Sequence, residues 1–194
     1  AATLIGNGLG RFAYTPLTPA LIAAGWFAPA EAVYLAAANL AGYLVGAMGA
    51  RRFAVATSGT FGARTAMVAT VVSLVACAFP LGFAWYAFWR FLAGVTGGVL
   101  MVLAVPMVLG ATPSHLRGRV AGVVITGVGL GVAASGTIVP AIAAQGLTLV
   151  WFALAATAAL LTAYAWFMLP ADTPAMATRA GGARLSLGIV LLLA

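Results

Sequence analysis

The chain has 194 residues, of which 64% are hydrophobic and only 6% are charged, and its formal net charge is +7 at pH 7. Soluble domains are about 25% charged, so this composition excludes a soluble globular protein and indicates lipid as the solvent. All nine basic residues are arginines that lie mostly between apolar runs, without alternating aromatic side chains. Placement of charge by membrane topology therefore explains the positive charge better than nucleic-acid binding.

Six apolar stretches are long enough to cross a bilayer, which takes about 20 residues. They are residues 3–24, 31–50, 64–82, 84–109, 119–143 and 147–169, and a seventh begins near Leu185. Because these stretches are continuous and too long for strands, we predict an all-α, polytopic transmembrane helical bundle. Its expected parts are a six-helix domain 1–169, a cytoplasmic loop 170–184 and the truncated start of helix seven at 185–194. We expect both ends of the chain to be cut.

The arginines outside the apolar stretches all fall on one side of the predicted membrane. They lie in or beside the loops after stretches two, four and six: Arg51, Arg52, Arg64, Arg117, Arg119, Arg179 and Arg184. The loops after stretches one, three and five contain no arginine. This positive-inside pattern places the N-terminus in the cytoplasm, and we expect an integral protein of the bacterial plasma (inner) membrane.

The first stretch has more polar residues than the others. They recur at helical spacing and form one stripe: Asn7, Arg11, Tyr14, Thr15 and Thr18. Pro16 and Pro19 remove backbone donors beside this stripe and free carbonyl groups. Irregular backbone at membrane depth survives only against protein or a water-filled cavity, so we predict that this helix lines a cavity.

Small residues mark the second, fourth and fifth stretches, where their spacing allows close helix packing. The glycines with this spacing are Gly42, Gly46, Gly94, Gly98, Gly127 and Gly131. The second stretch also places Asn39 and Tyr43 four residues apart. Stretches three and six have few polar residues, and we predict a lipid-facing scaffold for them.

Arg11 and Arg90 lie inside the first and fourth stretches, where no acidic residue is available to pair with them. An arginine at membrane depth costs about 2.5–3.5 kcal/mol on insertion scales, so it normally faces a bundle interior or a wet cavity. Its counter-charge is therefore backbone carbonyl, a missing part of the protein or an anionic ligand. Either arginine is thus a candidate for solute binding or for capping a broken helix.

The pattern as a whole resembles the N-terminal six-helix half of a major facilitator superfamily transporter. Arg90-Phe-Leu-Ala-Gly94-Val-Thr-Gly97-Gly98 resembles the helix-four motif of that family, and Gly127-Val-Gly-Leu-Gly131 resembles the glycine-rich motif of helix five. Gly-Leu-Gly-Arg11-Phe-Ala-Tyr-Thr-Pro and Tyr34-Leu-Ala-Ala-Ala-Asn39-Leu-Ala-Gly-Tyr43 are similar to the YbfB-like branch. The segment around Arg51 departs from the family's loop motif, because the expected acidic residue is absent.

The resemblance implies that helices one and four line a central cavity, that helices two and five form the interface between halves, and that helices three and six pack outside. It also implies a proton-driven secondary transporter of about twelve helices, whose C-terminal half is the missing partner of this chain. The solute-binding candidates are Arg11, Tyr14, Asn39, Tyr43 and Arg90. Two arginines favour a small, anionic solute.

Two alternatives to a transporter are a membrane enzyme and a non-transporting sensor or assembly scaffold. The enzyme is disfavoured because the spans contain no Ser–His pair, paired acids or carboxylate metal ligands,. We therefore expect no catalytic residue, no metal and no cofactor. The expected partners are a small-molecule solute, membrane lipid and the missing half, without nucleic acid. Substrate identity, coupling ion, transport direction and oligomeric state are not predictable from these residues.

Overall fold

The computed structural model describes residues 2–168, and within them it contains helices and no strand. The first helix consists of a π-helical segment, Leu4–Phe12, followed by α1, Tyr14–Ala23. The others are α2 Pro29–Ala56, α3 Gly59–Ala76, α4 Phe83–Gly110, α5 Arg117–Ala143, preceded by the 3-10 turn Ser114–Leu116, and α6 Leu147–Met168. The predicted all-α bundle is confirmed. The predicted loop 170–184 and start of helix seven at 185–194 lie outside the described residues.

Five of these helices, α2 to α6, are long and apolar enough to cross a membrane. The first predicted span is not among them, because it is divided into the nine-residue π-helical segment and the ten-residue α1. Together the two segments still cover 4–23, which agrees with the predicted span of 3–24. The first helix is therefore a broken one.

Three tight turns at one end of the bundle use glycine in the left-handed region. They lie before α2, α4 and α6, where Gly25, Gly82 and Gly146 have φ angles of 70°, 96° and 134°. A side chain at such a φ meets its own backbone, so glycine is the default residue there. These turns let antiparallel helices follow one another with short connections.

Arg51, Arg52 and Arg64 lie within helices, beside a very short connection between α2 and α3. Because α2 continues to Ala56 and α3 begins at Gly59, the connection consists only of residues 57 and 58. Ser58 caps α3 by accepting a hydrogen bond from the Phe61 amide at 3.1 Å,. The apolar run marks the part of a helix that meets hydrocarbon, whereas backbone hydrogen bonding continues beyond it.

Helix three, predicted as a lipid-facing scaffold, also packs one face into the described bundle. In its most apolar window 50% of the residues are buried inside the described bundle, against 19% in α5 and 28% in α2. The Thr70 hydroxyl is fully buried and donates to the Thr96 hydroxyl on α4 at 2.8 Å. Helices two and five are instead the more exposed ones, because nothing among residues 2–168 covers their outer faces.

Candidate functional site

The first helix changes its hydrogen-bond pattern beside the predicted polar stripe. In the π-helical segment Leu4–Phe12, whose pattern ends at Ala13, the Ala13 amide donates to the Gly8 carbonyl five residues earlier, at 3.1 Å. The chain returns to α-helix at Tyr14, two residues before Pro16. π-Helical turns are rare and often lie at functional sites. The irregular backbone therefore lies before the two prolines, which are themselves within α1, and its π-helical form is a feature that the sequence analysis missed.

Arg90 of α4 joins the two parts of this broken helix. Its side chain is 1% exposed, and its Nη1 donates to the Gly10 carbonyl at 3.0 Å. Its guanidinium carbon also lies 4.4 Å from the centroid of the Tyr14 ring, within the range of cation–π attraction. Its Nε has no hydrogen-bond acceptor in the described part of the chain. Arg90 therefore contacts the helix both before and after the break.

Tyr14 and Asn39 complete this buried cluster by bonding to backbone carbonyls. The Tyr14 hydroxyl donates to the Ala32 carbonyl at 3.2 Å, and Asn39 Nδ2 donates to the Arg90 carbonyl at 2.8 Å. Both side chains are buried. Three of the five predicted solute-binding residues are therefore enclosed by protein in this conformation, and their contacts link α1, α2 and α4.

Arg11 and Tyr43 lie together in a more open environment. Both side chains are half-buried, and the Arg11 guanidinium carbon lies 5.0 Å from the centroid of the Tyr43 ring and 5.4 Å from that of Phe12. Within residues 2–168, Arg11 has no hydrogen-bond or ion-pair partner. The carboxylate of Glu31 accepts from the Ala28 amide at 2.8 Å at the start of α2. The Arg11 guanidinium thus retains all of its donors for another acceptor.

Four of the predicted packing glycines lie in one contact between α2 and α4. A Cβ atom built on Gly42 would lie 2.1 Å from the Phe91 carbonyl oxygen, and one on Gly46 would lie 2.0 Å from that of Val95. On the other helix, Cβ atoms on Gly94 and Gly98 would lie 2.0 and 2.2 Å from carbonyl oxygens of α2. Such distances are far below any van der Waals contact. The two backbones therefore touch, as small residues at four-residue spacing allow.

The two glycines predicted on helix five differ from each other. A Cβ on Gly131 would lie 2.9 Å from Cα of Gly8, so α5 approaches the π-helical segment there. Gly127 has nothing within 4 Å of its Cβ position. Its predicted packing role is therefore not fulfilled within residues 2–168, because it lies on a stretch of α5 that no described helix covers.

Glycines of the first helix were missed as packing residues by the sequence analysis. Gly6 meets Gly97 of α4, where the Gly97 Cβ position lies 3.0 Å from the Gly6 carbonyl oxygen, while Gly8 meets Gly131 of α5. Residues two apart lie on nearly opposite sides of a helix. The alternation Gly6-Asn-Gly8-Leu-Gly10 was the available signal that this helix is held between two others.

Groups that bind metals are sparse in the described part of the chain. Residues 2–168 bring no three His, Cys, Asp or Glu side chains together. Cys77 is buried, and His115 is exposed in the turn before α5. We assign no metal or cofactor role to these residues.

Comparison with known proteins places this arrangement in a family. The model of the family described as "Uncharacterised MFS-type transporter YbfB" matches residues 3–193. No curated protein sequence matches the chain. A solved structure, "Crystal structure of D-xylose-proton symporter", is similar with a TM-score of 0.73 and 18% sequence identity, over 99% of this chain and 51% of that chain.

The chain thus spans about half the length of the symporter, and at 18% identity the likeness shows a shared fold. The family model, in contrast, covers nearly the whole sequence, including the broken first helix, the α2–α4 contact and the Arg90 cluster. The chain is therefore an integral membrane protein that belongs to the YbfB family of major-facilitator-type transporters.

Proposed function

We propose that the chain is the N-terminal half of a secondary active transporter that moves a small anionic solute by alternating access, coupled to protons. The observation that supports the anionic solute best is the half-buried Arg11 guanidinium, which has no hydrogen-bond or ion-pair partner among residues 2–168. A guanidinium carries a permanent charge and presents a planar fork of donors that fits a carboxylate. An unpaired arginine in a membrane span normally faces a site or a wet cavity.

In this proposal Arg11 binds the anionic group, Tyr43 supports it and Arg90 positions the helix. The Tyr43 ring lies against the Arg11 guanidinium, which restricts the side chain without using its hydrogen-bond donors. Arg90 is enclosed and bonded to the Gly10 carbonyl, directly before Arg11 in the chain. A movement of the first helix against α4 would therefore displace the Arg11 side chain as well.

The uncovered faces of α2 and α5 support alternating access between two halves. Large apolar side chains project from them, among them Val33, Met48, Val123 and Leu130, each more than 60% exposed. Transporters built from repeated halves rock them against each other around a central site. We propose that the C-terminal half covers these faces. Because no carboxylate lies deep inside a described helix, we place the proton-binding group in that half.

An uptake assay tests this function directly. Full-length protein in proteoliposomes is expected to accumulate a labelled small carboxylate from a panel when the outside is acidic, and a protonophore should abolish the accumulation. The same vesicles should not accumulate cations of similar size. Absence of uptake for every solute in a broad panel would favour a sensor or scaffold instead.

The proposed orientation, with the N-terminus in the cytoplasm of a bacterium, is testable by cysteine labelling. Ala28, Ser114 and Ala144 are all exposed, and the native Cys77 is 1% exposed. In intact cells, cysteines replacing Ala28 and Ala144 are expected to react with an impermeant maleimide, whereas one replacing Ser114 should react only after lysis. Labelling of the Ser114 variant from outside would invert the topology.

Arg11→Lys is expected to weaken the apparent solute affinity about tenfold or more. Lysine keeps the charge but loses the two-point grip on a carboxylate, and a charge-assisted hydrogen bond contributes about 1.5–3 kcal/mol. The measurement is the KM for uptake, compared with that of Arg51→Lys, which changes an exposed arginine at the end of α2. Equal KM values in the two variants would remove Arg11 from the site while leaving transport itself in place.

A further inference from the structure

A lateral groove runs along the outside of α3, between that helix, α4 and the end of α6. Its volume is about 630 Å³. Its walls are mostly apolar, and they include Val68, Val72, Trp89, Leu92 and Trp166. The groove lies away from Arg11 and Tyr43, which do not line it. It is therefore a concave surface that the proposed transport site does not use.

Arg64 lies at the arginine-rich end of this groove. Its Nη2 donates to the Trp166 carbonyl at 2.9 Å, and its guanidinium carbon lies 4.8 Å from the centroid of the Trp166 ring. Since residue 170 is proline, which has no N–H, a continuing helix cannot use the Trp166 carbonyl. Arg64 thus caps the end of α6, which explains its position. This capping bond uses only one of the five N–H donors of the Arg64 guanidinium.

The charge of Arg64 has no counter-ion in the part of the chain that the structure describes. The carboxylate in that part, Glu31, lies in the first turn of α2, whereas Arg64 follows the end of α2. Glu31 lies 25 residues before the end of α2, and α3 returns by only five residues from Gly59 to Arg64, so about 30 Å separates the two along the helix axes at 1.5 Å per residue,. Arg64 is therefore a partly buried cation that lacks a negative partner and lies beside an apolar groove. This combination of a cation and an apolar groove matches a molecule with an anionic head and an apolar tail.

The dimensions of the groove fit one leaflet of a bilayer. From Arg64 to Val72 the groove follows α3 for eight residues, or about 12 Å at 1.5 Å per residue,. Half of a hydrocarbon core of about 30 Å is about 15 Å. A phosphate at Arg64 would thus lie near the membrane surface, with an acyl chain extending inward past Val68 to Trp89.

We propose that this groove binds an anionic phospholipid of the leaflet next to the arginine-rich end, with its phosphate on Arg64 and one acyl chain along α3. The proposal requires only that the bundle spans a membrane, so it does not depend on the transported solute. Bound lipid would hold α3, α4 and α6 together on the face opposite to the uncovered surfaces of α2 and α5.

Native mass spectrometry of the full-length protein tests this site. The protein is mixed with equal amounts of phosphatidylglycerol and phosphatidylcholine that have identical acyl chains. We expect one retained phosphatidylglycerol adduct with about a tenfold preference, which corresponds to about 1.4 kcal/mol. Arg64→Gln should reduce this preference to near unity, whereas Arg52→Gln, which changes an exposed arginine near the end of α2, should keep it.

Two further measurements separate the possible occupants. Ala69→Phe fills the groove with the charge intact, and it should remove the adduct, whereas excess inorganic phosphate should not displace the lipid from the wild type. An unchanged preference in Arg64→Gln, or an unchanged adduct in Ala69→Phe, would overturn the proposal. The proposal would also be overturned if the wild type showed no preference for phosphatidylglycerol and the Asp172→Asn variant showed one. In that case the chain after α6 would occupy the site.

Discussion

Gly46→Ala is expected to disrupt the contact between α2 and α4 and to reduce the yield of folded protein severely. The added methyl carbon would lie 2.0 Å from the Val95 carbonyl oxygen, 2.7 Å from the Val95 carbonyl carbon and 2.8 Å from Val95 Cα. All three are backbone atoms, so no side chain can rotate away, and the helices must separate. Overpacking typically costs about 1–3 kcal/mol where side chains adjust, and we expect a loss at or above the upper end of that range.

Gly49→Ala is the matched control, three residues later on the same helix. Its Cβ position has nothing within 4 Å, so the same substitution there adds a methyl group without a clash. Alanine also has a higher helix propensity than glycine, by about 1 kcal/mol in water. The measurement is thermal unfolding in detergent, monitored through the amount of monodisperse protein that remains. The midpoint temperatures of the two variants should therefore differ clearly. Equal midpoints would show that α2 and α4 do not pack as tightly as the structure has them.

The fold was predictable because membrane helices leave a simple chemical pattern. Apolar length gives each span, and small residues four apart on two helices give a close contact, as Gly42, Gly46, Gly94 and Gly98 do. The pattern fails where a property depends on the neighbouring helix. Gly127 has the same spacing from Gly131, but within residues 2–168 nothing lies within 4 Å of its Cβ position. The spacing shows that another helix can approach, and it does not show that a helix is there.

The candidate site was only partly predictable for a similar reason. Residue type and depth single out Arg11 and Arg90 equally. In the structure Arg11 is half-buried and has no hydrogen-bond partner among residues 2–168, whereas Arg90 is enclosed. Tyr14 and Asn39 were predicted as solute ligands, but their polar groups bond to carbonyls of other helices. To distinguish a solute-binding side chain from one that links two helices, one must know which acceptor each donor reaches. That acceptor belongs to a tertiary contact.

Arg90→Met is expected to leave stability nearly unchanged while it abolishes transport. Arg90 gains a charge-assisted hydrogen bond to the Gly10 carbonyl, about 1.5–3 kcal/mol,, and a cation–π contact with Tyr14, about 2 kcal/mol when desolvated,. Against these stands the desolvation of a charge at 1% exposure, which costs several kcal/mol per ion. Methionine has a similar length, and it removes both the favourable contacts and the desolvation cost. The free energy of unfolding of the Arg90→Met variant should therefore lie within about 2 kcal/mol of that of the wild type.

The reason to expect lost transport is that Arg90 contacts both parts of the broken helix. Without the guanidinium, nothing in the described bundle replaces its link between the Gly10 carbonyl and the Tyr14 ring. The first helix then loses the contact that couples its break, and the adjacent Arg11, to α4. Uptake of the solute found in the proteoliposome screen should fall by about two orders of magnitude, because a misplacement of about 1 Å costs about a hundredfold in enzyme active sites.

Arg90→Lys distinguishes charge from geometry at the same position. Lysine retains the positive charge, so the desolvation cost remains, but its ammonium cannot lie flat over the Tyr14 ring while it bonds to Gly10. We expect this variant to fold and to insert yet to lose most transport. Near-normal uptake in Arg90→Lys would mean that charge alone suffices, and a large drop in the thermal midpoint of Arg90→Met would show that Arg90 stabilises the fold. If both variants behave as expected, Arg90 contributes little net stability, and its role is to control the position of the first helix. With that helix it positions Arg11, the only half-buried arginine whose donors are free among residues 2–168.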